Sequence, residues 1–147
     1  MSSQLVEFLE GRKEKAHGID WEEKKREWLD AVPALYSQIK AVLGATIDKG
    51  LVKLHEEETK ITEDFIGTYE VRELRLTVGD DLVVFTPIGA NVVGALGRVD
   101  MRGDRDTISL LWTGGNWQFV VEQVPDLVMT PLDHQSLLNA LQRVMLP

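Results

Sequence analysis

The sequence predicts an α+β fold: N-terminal helices over about 3–15 and 20–49, an antiparallel curved sheet of five to seven strands over about 51–130, and a C-terminal helix over about 131–146 packed on the sheet. Three observations predict it. Before residue 50, Trp28, Val32, Leu35, Ile39 and Val42 recur at steps of four and three, as one face of a helix requires. From Leu51 to Thr130 the apolar spacing drops to alternation, and at Leu137 the helical spacing returns. The 147 residues suit a single domain, 1–147, large enough to bury roughly 68–70% of its unfolded surface. No internal repeat, low-complexity tract or linker divides the chain.

Each element follows from local chemistry. Leu5, Phe8 and Leu9 give the first helix a short stripe weakened by Gly11, so residues 1–15 are expected as a loosely attached arm. Asp20, with Glu23 three residues on, starts the long helical region as an N-cap. Pro33 would clash with the carbonyl of Leu29 in a continuous helix, whereas Asp30 can cap a fresh one, so a kink or break is expected near 30–33. Lys49-Gly50 ends the region, and Leu51, Val52 and Leu54 lead into a strand expected to stop amid exposed Glu56-Glu57-Glu58.

In the next strand Tyr69 and Val71 have one parity and Leu74, Leu76 and Val78 the other. Either a bulge near Arg72-Glu73 switches the face, or parts of both faces are buried. Gly79-Asp80-Asp81 is a turn, and Leu82 to Phe85, apolar on both parities, reads as a central strand that Pro87 ends. The glycines of Gly89 to Gly97 mark a loop lying against the core. Val99/Met101, Ile108/Leu110/Trp112 and Trp117/Phe119/Val121 then alternate around two tight turns as a three-strand meander. After a short strand over 127–129, Thr130 is expected to cap the last helix with Pro131 at its first position.

Composition narrows the function. Twenty-four acids against 16 Lys and Arg give a net charge of −8, a field that repels polyphosphate, so nucleic acid is not an expected partner. The absence of cysteine removes disulfides, thiolate metal sites and thiol nucleophiles. No apolar run approaches the roughly 20 residues of a membrane span, and the acidic start lacks a basic, then apolar, signal segment. A cytoplasmic protein without a membrane partner is the expectation.

No motif commits to a reaction. Gly89 to Leu96 has the glycine spacing of a phosphate-binding loop, but its lysine and hydroxyl positions hold Ala95 and Leu96. Asp100, Asp104 and Asp106 are interleaved with Arg98, Arg102 and Arg105, which favours charge pairs across the hairpin over a metal site. His17, His55 and His134 lack a nucleophile setting, and the adjacent acids give no reason to assign acid and base roles. Catalytic, cofactor-binding and metal residues are therefore all expected to be none.

The residues expected to touch a ligand or partner are Gly89, Asn91, Gly94 and Gly97, where small side chains permit close approach, and Trp112, Trp117, Trp21 and Trp28, the residue type that anchors interfaces. Trp112 and Trp117 flank a Thr-Gly-Gly-Asn turn and are expected to pair across two strands. The leading expectation is a non-enzymatic interaction module: a homo-oligomer, an adaptor, or an immunity-like inhibitor that binds a basic protein, with Glu56 to Glu58 as one acidic surface. A small-molecule pocket between sheet and C-terminal helix, roofed by Gly89 to Gly97, is the second, and an enzyme of unidentified class the third.

Overall fold

In a computed structural model of the chain, the described residues are 4–6, 9, 20–92 and 95–145. The helix expected over 3–15 and the arm it would form lie mostly outside them.

Asp20 opens α1 (Trp21–Val42), its carboxylate accepting the Glu23 N–H at 3.0 Å. The helix runs unbroken through Pro33, so the break, one of the two outcomes expected near 30–33, is not found. Pro33 lies on the exposed side, where water can solvate the carbonyl it leaves unbonded. Trp28, Ala31, Val32, Leu35, Tyr36 and Ile39 on the other side are buried across the same turns. Packing on both sides of the proline outweighs its local cost of about 3 kcal/mol. Leu43 closes α1, and α2 (Gly44–Asp48) follows at once.

Seven strands form one antiparallel sheet in sequence order, β1-β2-β3-β4-β5-β6-β7, which is not closed. They are β1 (Lys53–Glu63), β2 (Gly67–Val78), β3 (Asp81–Gly89), β4 (Gly97–Arg102), β5 (Thr107–Trp112), β6 (Trp117–Glu122) and β7 (Val128–Pro131). A last helix, α3 (His134–Val144), buries Leu137, Ala140 and Val144, while Leu138 is 40% exposed.

The first strand does not stop at the glutamates. It continues to Glu63 because each acid is neutralised: Glu56 by Lys40 at 2.8 Å, Glu57 by Arg75 at 3.3 Å and Glu58 by Arg72 at 3.6 Å. Pairing between β1 and β2 is unbroken from Lys53↔Thr77 to Glu63↔Gly67, so no bulge switches the face of β2. Both strands change buried parity at one level, Glu57/Glu58 opposite Glu73/Arg72, and the hairpin buries part of each face. That level is where β2 parts from β3, whose pairing with it covers only Leu74 to Val78. Beyond it the hairpin is a free two-stranded ribbon, which twists more than a strand held on both sides.

The third strand buries Val83 and Phe85 but leaves Leu82 41% exposed, so the expected burial of both its faces is not found. The buried side chains of the described helices join the core on one side of the sheet. Nor does Pro87 end it: β3 continues to Gly89 through a register shift against β4. The proline sits beyond the last β2–β3 pair, where a missing donor is tolerated.

The expected meander is present. Among the described residues, however, its charges are not paired across the hairpin. Asp100 bonds Arg98 of its own strand, and Asp106 bonds Arg143 of α3 at 3.1 Å. The last helix starts three residues later than expected. Pro131 stays in the edge strand β7, which tolerates its missing N–H, and Asp133 is the N-cap. The Asp133 carboxylate accepts the Ser136 N–H at 2.8 Å, and the Ser136 hydroxyl accepts the Asp133 N–H at 2.8 Å. Thr130 is held in β7 opposite Phe119 and so is not available as the cap.

Candidate functional site

The fork between β2 and β3 exposes backbone groups that strand pairing leaves free, and side chains of α1 and β1 take them up. At its apex the Tyr36 hydroxyl donates to the carbonyl of Arg72 at 2.5 Å, with the Phe85 carbonyl at 3.5 Å. At its mouth Glu63 closes the hairpin onto the end of β3. The Ala90 N–H donates to one carboxylate oxygen at 3.1 Å and the Asn91 N–H to the other at 2.7 Å. The Tyr69 hydroxyl donates to Glu63 as well, and the Trp28 indole N–H donates to Tyr69 at 2.8 Å. Burial, then the bond to Glu63, raises the Tyr69 pKa above its ordinary value; burial, then the charges of Glu56 and Glu73, raises that of Tyr36.

From this fork an aromatic row runs across the sheet. Trp28 lies 6.1 Å from Trp117, centroid to centroid, and Trp117 lies 5.7 Å from Trp112, its partner across β5 and β6. The Trp117 indole N–H donates to the carbonyl of Ala31 at 2.9 Å, tying the row to α1. Trp28 and Trp117 are buried, while Trp112 is half-buried and reaches the surface.

Most of the sequence-predicted site residues meet here. Gly97 opens β4 against the Trp28 ring, in space that any side chain at this position would share with the indole. Gly89, at the end of β3, lies against the Glu63 carboxylate in the same way, and Asn91 follows it. Trp21 stands apart from the row. It opens α1 and stacks at 5.0 Å on Phe65, a hairpin-tip residue whose φ of 68° is in the left-handed region. Gly94 lies outside the described residues.

Where the row surfaces, Glu27, Asp30, Ala31 and Ala34 of α1 face Leu96, Trp112 and Gly114 across a groove of about 530 Å³. Neither Glu27 nor Asp30 has an ion-pair partner among the described residues, although Arg26 lies one turn before Asp30. Two unneutralised carboxylates beside an aromatic face and a floor of alanines can accept an extended cationic side chain, the charge between acid and ring and the stem along apolar surface. Sequence reading found Trp112 but missed Glu27, Asp30, Leu96 and Glu63. The two helix acids look like any solvated helix face until the sheet is placed beside them.

A smaller cavity of about 240 Å³ lies between the sheet and α3, lined by Ile108, Phe119, Thr130, Asp133, Asn139 and Arg143 among others, none of them from the Gly89 to Gly97 loop. Among the described residues no group of three or more His, Asp or Glu is placed to hold a metal ion, and no helix is long and apolar enough to cross a membrane. No protein-family model, curated protein or solved structure matches this chain.

Proposed function

We propose that the protein is a non-enzymatic recognition module that docks a basic protein partner in the cytoplasm, taking a lysine or arginine side chain into the groove of Glu27, Asp30, Leu96 and Trp112. The single observation that carries this reading is the pairing of free carboxylates with an accessible tryptophan face. The acidic run at Glu56 to Glu58, the other acidic surface, is already matched by Lys40, Arg75 and Arg72 and attracts a basic partner less strongly. A net charge of −8 adds steering toward such a partner.

The test uses an amide-capped oligoarginine peptide as probe and follows the protein by amide and indole NMR. Saturable shifts at Glu27, Asp30 and the Trp112 indole are expected, with affinity falling at least tenfold in Glu27→Lys/Asp30→Lys, whose fold is unaffected because both positions are exposed. Shifts spread over all acidic positions, or a charge-reversed variant that binds equally well, would discard the groove.

A further inference from the structure

We infer that the sheet face turned away from the helices carries a second, independent site, one that binds a small organic carboxylate with an apolar body and is anchored on Arg98. Along β4 the core side chains are Val99 and Met101, so Arg98 and Asp100 point to the opposite face. The register sets Ser109 opposite Asp100 and Leu111 opposite Arg98. Among the described residues the core-forming side chains of α1 and α3 join the opposite face, yet Asp100 is only 6% exposed and Val120 only 7%. The face is therefore recessed. It holds a cavity of about 460 Å³ whose lining includes Val92, Arg98, Ser109, Leu111, Val120 and Leu127.

The polar floor of this cavity is organised before any ligand arrives. Arg98 donates from Nε to Asp100 Oδ1 at 2.8 Å and from Nη2 to Oδ2 at 2.9 Å, and Ser109 donates its hydroxyl to Oδ1 at 2.9 Å. This bidentate pair holds the guanidinium in one plane and raises the Arg98 pKa, chiefly through the hydrogen bond to Asp100. Of the five guanidinium N–H groups, the pair uses two. The two on Nη1 and the second on Nη2 have no protein partner among the described residues, and the side chain is 42% exposed. Two of the remaining three form the end-on fork that receives a second carboxylate bidentately.

The walls select what accompanies that carboxylate. Val92, Leu111, Val120 and Leu127 are apolar, and Leu127 is left 57% exposed at the rim. A short aliphatic or aromatic body fits against them, while a second anionic group would meet Asp100 and the chain's net charge of −8. The ligand class is thus a monocarboxylate rather than a phosphate or polyanion.

Hexanoate, hexanol and hexylamine, titrated into the intact chain and followed by NMR and calorimetry, form the test. Hexanoate is expected to bind at least tenfold tighter than the other two and to shift the signals of Arg98, Ser109, Leu111 and Val120. Arg98→Gln is expected to abolish that preference. Should Arg98→Gln fail to fold, Leu127→Glu, at an exposed rim position, introduces a competing anion and is expected to weaken hexanoate at least tenfold without changing the thermal midpoint. Equal binding of hexanoate and hexanol, shifts that map elsewhere, or undiminished hexanoate binding to Leu127→Glu would each overturn the site.

Discussion

Glu63 shows how one residue can organise an architecture that its neighbours in sequence do not announce. Its carboxylate receives a tyrosine hydroxyl and two backbone N–H groups from a segment 27 and 28 residues away, so hairpin, α1 and the end of β3 meet at one point. Nothing in Thr-Glu-Asp-Phe foretells this, because a strand-end acid is ordinarily solvated. The same network makes an alkaline prediction. Both tyrosines of the chain have pKa values raised above 10.0, chiefly by burial. The unfolded chain then loses phenolic protons near pH 10 while the folded one keeps them, so the unfolded state binds fewer protons and stability falls as pH rises past that value. Phenolate absorbance is expected to stay low in the folded protein above pH 10 and to appear together with unfolding. Ordinary titration near pH 10 with the fold intact would contradict it.

At the scale of elements, periodicity located the helical and strand regions because alternation and three-four spacing are imposed by backbone geometry. Their ends were harder to read, since an end is decided by whichever partner satisfies the last backbone groups. Glu56 to Glu58 looked like a stop until Lys40, Arg75 and Arg72 came beside them, and Thr130-Pro131 looked like a start until Asp133 and Ser136 formed the better cap. Pro33 is the clearest case of packing overriding propensity. Its ring occupies an exposed mid-helix position that leaves the Leu29 carbonyl without its helical donor. Pro33→Ala is therefore expected to stabilise the protein by about 1–3 kcal/mol, the restored helical bond being offset in part by a less constrained unfolded chain. Urea midpoints of the two proteins measure it. A lower midpoint would contradict it and mean that the proline ring stabilises the helix that seats Leu35 and Ile39.

For the whole molecule, the charge of −8 acts together with where it is left unpaired. Raising the salt from about 0.05 to about 0.5 M is expected to slow association with a basic partner roughly tenfold or more, because the Debye length contracts below the reach of the groove's carboxylates. Dissociation, governed by the contact with Trp112 and Leu96, is expected to change far less. Stopped-flow traces with the oligoarginine probe separate the two rates, and an association rate indifferent to salt would remove electrostatic steering from the account.

The α+β class, the order of helix, sheet and helix, and the Trp112–Trp117 pair were legible in the chain alone, since each follows from side-chain period or turn chemistry; Gly97 was expected against a ligand or partner and lies instead against the Trp28 ring. The divergence of β2 and β3, the closure of the gap by Glu63 and the place of Arg98 on a recessed face emerged with the folded chain. These depend on contacts between residues far apart in the chain, and hydrogen-bond partners chosen across such distances leave no local signature.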